Sequence, residues 1–140
     1  MTTSTADAAA LSGFGRGTAR WLVLWGLAVW FAVAVAIRLA GHVLLSPATP
    51  LVVGAFFVAV VPLMALVTYP VYRWLGIPHG DRPAAAALLS LPGMFLDVLL
   101  VLFAGAVFPR MGTGAVVTFG AILLFGYAIV LATGFVPRGR

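Results

Sequence analysis

The sequence predicts an all-α membrane protein, a four-helix transmembrane bundle running up-down-up-down. Three observations predict it: the apolar composition, four long apolar runs, and short turns between them. Hydrophobic residues make up 64% of the 140 residues and charged residues 8%. The mean hydropathy is +1.18. Ordinary globular domains are about 45–50% apolar and about 25% charged. A soluble domain of this length leaves too much of its surface exposed to hide so many apolar side chains. Lipid is the natural second solvent.

Residues 1–19 are rich in Thr, Ser, Ala and Gly and carry Asp7 and Arg16. They are expected to form a flexible tail. A single transmembrane domain follows over residues 20–137, and residues 138–140 form the C-terminus. The apolar runs cover residues 21–45, 51–74, 84–108 and 113–136. About 20 apolar residues suffice to cross the hydrocarbon core. A backbone in lipid must satisfy its own hydrogen bonds, so each run is expected to be a helix. A β-barrel would show short alternating segments instead. The turns at Ser46, Gly76 and Pro109 are short, which makes consecutive helices expected neighbours in space.

Orientation follows from the arginines, since the chain has no Lys. With the N-terminus inside, Arg16, Arg20, Arg73, Arg82, Arg138 and Arg140 lie on the cytoplasmic side, and only Arg38 and Arg110 lie outside. The excess places both termini in the cytoplasm of a cell with this protein in its plasma membrane. Trp21, Trp25 and Trp74 fall near the inner ends of their runs, as interfacial tryptophans do. Arg16, Arg20 and the Ala34-Val35-Ala36 stretch also have the shape of a signal peptide with its cleavage site. The apolar run continues past that site, which favours a retained helix.

The net charge of +5 forms no basic patch, because the arginines are scattered between apolar runs. They suit topology and lipid headgroups better than nucleic acid. The absence of cysteine excludes disulfides and thiolate chemistry. The sequence offers no metal set, no paired carboxylates and no Ser-His-Asp arrangement. His79, Asp81 and Arg82 read as a solvated loop. No enzyme activity, cofactor or soluble substrate is expected. The expected partners are the lipid bilayer and, beyond it, a homodimer or another membrane protein.

Asp97 is the most informative residue, since it falls near the middle of the third run. A charge at that depth costs about 2.5–3.5 kcal/mol on insertion scales and calls for an internal partner. Its helical face carries Ala86, Ser90, Gly93, Val101, Ala104 and Gly105, while Phe95, Leu99 and Leu102 face the other way. Asp97 therefore points inward. Arg38 is the expected partner, shallower by roughly 6–9 Å at 1.5 Å per residue. Tyr127 lies within about a turn of the same depth, and His42 lies one turn beyond Arg38. A buried polar cluster of Arg38, Asp97, Tyr127 and His42 is expected. Pro92 and Gly93 should kink the third helix one turn before the acid. Ala28, Ala32, Ala36 and Ala40 form a small-residue stripe suited to packing within the protein or between two copies.

Leu91-Pro92-Gly93-Met94-Phe95-Leu96-Asp97, with Arg38-Leu39-Ala40-Gly41-His42 and Phe108-Pro109, resembles a family of small four-span prokaryotic membrane proteins of unknown function. The resemblance covers most of the chain. It implies the topology and an emphasis on Arg38 and Asp97, and it implies no activity. In size the chain is also similar to small multidrug transporters, which carry a glutamate in the first helix. Here that helix has no acid. The expected function is a structural or accessory membrane protein built on an Arg38–Asp97 pair. The alternative is a small proton-coupled carrier that uses Asp97.

Overall fold

A computed structural model describes residues 14–137. Most of the expected flexible tail and the C-terminal residues 138–140 lie outside the described residues. Helix α1 spans Arg16–Leu44, α2 Pro50–Trp74, α3 Arg82–Leu102, α4 Ala104–Val107 and α5 Thr113–Thr133. A 3-10 turn, His79–Asp81, precedes α3. Four of the helices are long and apolar enough to cross a membrane.

The boundaries depart from the sequence expectation at instructive places. Helix α1 begins at Arg16, inside the expected tail, with Gly15 extended before it. Pro50 opens α2 at a position where a missing N–H does no harm. Both α2 and α3 stay helical through their internal prolines. Pro92 deprives the Leu88 carbonyl of one bond, and the remaining ladder carries the helix onward. The interruption falls later, at Phe103, with φ −104° and ψ 23°. It separates α3 from α4, where one continuous helix over residues 84–108 was expected.

The end of α2 has a clear cause. Gly76 takes the left-handed conformation with φ +62°. Its N–H reaches the Arg73 carbonyl at 3.2 Å, and Ile77 N–H reaches the Tyr72 carbonyl at 2.9 Å. This pair of bonds is the Schellman termination, which favours glycine at the turning residue. It folds Ile77 back beside Tyr72, and both are buried.

The helices do not pack in chain order. Helix α1 lies chiefly on α3, α3 on α5, and α5 on α2, while the consecutive pair α1 and α2 touch little. Gly26 explains the α1–α3 contact. A Cβ there would collide with the Leu89 carbonyl, so the two backbones meet at close range. Small residues permit such approach between apolar helices. Farther along, Trp30 meets Asp97 and Arg38 meets Val107. These contacts climb both segments together, so α1 and α3 run parallel. The buried residues of α1 are Leu22, Gly26, Ile37 and Gly41. Of the expected stripe, Ala28, Ala32 and Ala36 are exposed and Ala40 is half-buried, so the stripe does not form the α1–α3 contact.

Two buried apolar clusters hold the ends. One gathers Leu22, Tyr72, Ile77, Leu89 and Val130. The other gathers Ile37, Val60, Phe108, Phe119 and Ile122. The outer surface is itself apolar: Leu51 is 88% exposed, Val58 73% and Phe95 72%. Such a surface suits lipid.

Gly26→Ala should lower the stability of the protein in micelles by about 1–3 kcal/mol, since backbone must shift to admit the methyl group. Gly120→Ala is the comparison, because a Cβ there meets nothing within 4 Å. It should be neutral or stabilising by up to about 1 kcal/mol. Equal effects in chemical unfolding would contradict the close α1–α3 approach.

Candidate functional site

Asp97 is buried at 6% exposure on α3. Its two oxygens are taken by different helices. Trp30 Nε1 of α1 donates to Oδ1 at 2.8 Å. Tyr127 Oη of α5 donates to Oδ2. An indole N–H can only donate, and a phenol hydroxyl can donate or accept. The acid therefore joins three helices through two neutral aromatic donors.

Gly93, one turn before Asp97, makes this possible. A Cβ at that position would stand 2.7 Å from Tyr127 Oη and 3.1 Å from Trp30 Cδ1. A methyl group there would force the Tyr127 hydroxyl to shift and would crowd the Trp30 ring. The sequence reading gave Pro92-Gly93 the task of bending the helix. Gly93 also clears the space in which Tyr127 and Trp30 converge.

Arg38 is not the partner of Asp97. Its Nη1 donates to the carbonyl of Val107, the last residue of α4. That carbonyl belongs to a helix end and has no following turn to receive it. Aligning the ends of the apolar runs had set Arg38 too near the acid. Trp30 marks the true level of Asp97, and Arg38 lies eight residues beyond it, about 12 Å at 1.5 Å per residue. His42 lies farther out again, with Nδ1 enclosed and unpartnered. The structure thus joins Tyr127 to Asp97 and leaves Arg38 and His42 apart from them.

Trp30 is the residue that sequence reasoning missed. A signal was present: Trp21, Trp25 and Trp74 fall near the ends of their runs, whereas Trp30 falls within one. A tryptophan away from the interface needs an acceptor for its N–H. Arg82 was also misread, as a solvated loop charge. It is 6% exposed, and its Nε and Nη1 are enclosed without hydrogen-bond partners. Its guanidinium stacks over Tyr72 at 5.5 Å. Tyr72 Oη in turn lies 3.1 Å from Thr133 Oγ1. His79, in the 3-10 turn, is exposed. Among the described residues no group of three or more His, Asp or Glu could hold a metal ion.

Beside the Asp97 contacts lies a cavity of about 230 Å³ with walls from all four long helices. Trp30, Gly93 and Tyr127 contribute to its wall, and Asp97 does not. The acid sits behind its two donors.

A model of a family of unknown function, DUF5367, matches residues 44–140. The chain belongs to this family. The stretch matched to DUF5367 contains Asp97 and Tyr127 and begins at the last residue of α1. No curated protein and no solved structure matches the chain.

Tyr127→Phe and Trp30→Phe each remove one donor from a buried acceptor, and each should lower stability by about 1–3 kcal/mol. A double-mutant cycle of Tyr127→Phe with Asp97→Asn should show coupling. The same cycle with Arg38→Gln and Asp97→Asn should be additive within about 0.5 kcal/mol. Unfolding in detergent micelles measures both. A coupling larger than that for Arg38 would restore the ion pair.

Proposed function

We propose that the chain is a non-enzymatic integral membrane protein, structural or accessory in role. In this reading its four spans run up-down-up-down as a bundle through the plasma membrane, with both termini in the cytoplasm. The observation that carries it is the disposition of Asp97. Both carboxyl oxygens are engaged by donors from two other helices, and the acid is withdrawn from the cavity wall. A charge-bearing group inside a membrane defaults to a functional reading. Here the group has the properties of a fastening: it fixes the register of α1 and α5 on α3.

The topology has support of its own. Trp21 and Trp74 pack edge to face at 5.8 Å, which brings the start of α1 and the end of α2 together. Arg16, Arg20 and Arg73 gather at that end and are exposed. An arginine-rich, tryptophan-lined end is the cytoplasmic one by the positive-inside rule.

The competing reading is a proton-coupled carrier with Asp97 as the proton-bearing group. Vesicles holding the purified protein and a pH-sensitive dye separate the two. With an imposed pH gradient, wild type and Asp97→Asn should dissipate it at the rate of empty vesicles. A faster, Asp97-dependent flux from protein that remains folded would sink the structural reading. Reporter fusions at each terminus should both give the cytoplasmic signal.

A further inference from the structure

The end of the protein opposite Tyr72 carries positive charge and no described acid. Arg38 of α1 and Arg110, in the turn between α4 and α5, are both exposed there. Among the described residues the acids are Asp81 and Asp97. Asp81 lies in the 3-10 turn at the other end. Asp97 is engaged by its own two donors, about 12 Å deeper than Arg38 at 1.5 Å per residue.

Packing brings the two arginines to one place. The Arg38 guanidinium donates to the Val107 carbonyl, three residues before Arg110. On the other side of Arg110, Met111 packs on Gly41, where a Cβ would stand 3.0 Å from its sulfur. Arg110 is therefore flanked by two residues that touch one turn of α1. Its backbone is fixed as well. Met111 N–H reaches the Phe108 carbonyl at 2.9 Å, and the buried Phe108 ring packs edge to face on Phe119.

The Val107 bond also holds the Arg38 side chain in place. A guanidinium has five N–H donors, so most of the fork is left for an outside acceptor, with its position already set. Such preorganisation lowers the ordering cost of binding. The acceptor that matches this fork through two parallel bonds is a carboxylate or a phosphate. One turn deeper than Arg38 on α1, Val35 is exposed, and Phe31 is exposed one turn deeper again. These side chains offer hydrocarbon to an acyl chain below the headgroup. A zwitterionic headgroup would bring its ammonium to two cations with no carboxylate to meet it.

We propose that Arg38 and Arg110 form a site for the phosphate of a net-anionic phospholipid, whose acyl chain lies along Val35 and Phe31. The proposal rests on the membrane reading given above. A small soluble phosphate has the same head but makes no use of the apolar surface, and the test separates the two.

The chain has no cysteine, so Val35→Cys gives one attachment point for a fluorophore beside the expected acyl chain. The labelled full chain is placed in phosphatidylcholine vesicles. Part of the lipid is then replaced by phosphatidylglycerol or phosphatidylcholine with brominated chains. Bromine quenches the label on contact, so quenching at equal mole fraction compares the two affinities. Phosphatidylglycerol should be preferred by about fivefold for each arginine. Arg110→Gln should lower that preference about fivefold, and Arg110→Lys should retain most of it. Arg20→Gln, at the other end, should leave it unchanged. Equal quenching by the two lipids would overturn the proposal, as would a preference that Arg110→Gln does not lower. A preference lost in Arg20→Gln would place the lipid at the wrong end and overturn it too. Loss of the preference on adding millimolar glycerol 3-phosphate would mark a site for soluble phosphates instead. Protein that fails to float with the vesicles would overturn the membrane reading itself, and the lipid site with it.

Discussion

A carboxyl group held within an apolar span must find its hydrogen-bond donors inside the chain, because the hydrocarbon layer offers none. Asp97 meets this requirement through Trp30 and Tyr127, and much of the arrangement depends on that solution. Two donors on two helices fix the positions of α1 and α5 against α3. The fastening then demands space for two aromatic rings at one level of α3, which Gly93 provides. It also demands close approach of α1 along the preceding turns, which Gly26 provides against Leu89. Apolar contact alone specifies register weakly between helices in lipid, since lipid tails are as apolar as leucine. A directional bond to a fixed carboxyl oxygen is far more selective.

The end of the molecule near Tyr72 is organised by different means. The Gly76 turn stops α2 and returns Ile77 to the core. Tyr72 is then held between Thr133 of α5 and the Arg82 guanidinium. Gly134 allows α5 to meet the start of α3, where a Cβ would stand 2.8 Å from Pro83 Cα. Arg82 remains a buried cation with unmet donors. A buried charge is weak evidence for stability, since desolvation opposes what its contacts gain. Its stacking on Tyr72 offsets only part of that cost.

The four long apolar helices were legible in the sequence because length and hydropathy state them directly. The inward direction of Asp97 was legible too, from the small residues Ala86, Ser90 and Gly93 on its face, all of them buried. Tyr127 was found because its depth could be counted from a helix end. The partner on α1 could not be found that way. Depth counting assumes that the ends of apolar runs coincide, and the break at Phe103 and the late placement of Val107 beside Arg38 shift that scale by several residues. Charge complementarity then drew attention to Arg38, although an indole N–H serves a buried acid as well. The packing order was illegible for a related reason: short turns make consecutive helices close at one end and say nothing about the area they share.

That last point connects the fastening to the cavity. The donors to Asp97 come from α1 and α5, so the bond network closes around α3 and leaves α2 outside it. Helix α2 is attached mainly through α5, by contacts such as Phe57 on Phe125 and Tyr72 on Thr133. Toward α1 it has the Trp21–Trp74 pair and the Trp25–Val67 bond, both near one end. A helix held along one flank by α5, and tied to α1 by these contacts at one end and by the turn at residues 45–49 at the other, leaves a gap between those two ties. The cavity lies beside that gap, and its exposed wall residues, Trp25, Ala36 and Leu63, come from the two helices that part there. The same carboxyl group that joins three helices thus leaves the looser flank on the side of the fourth.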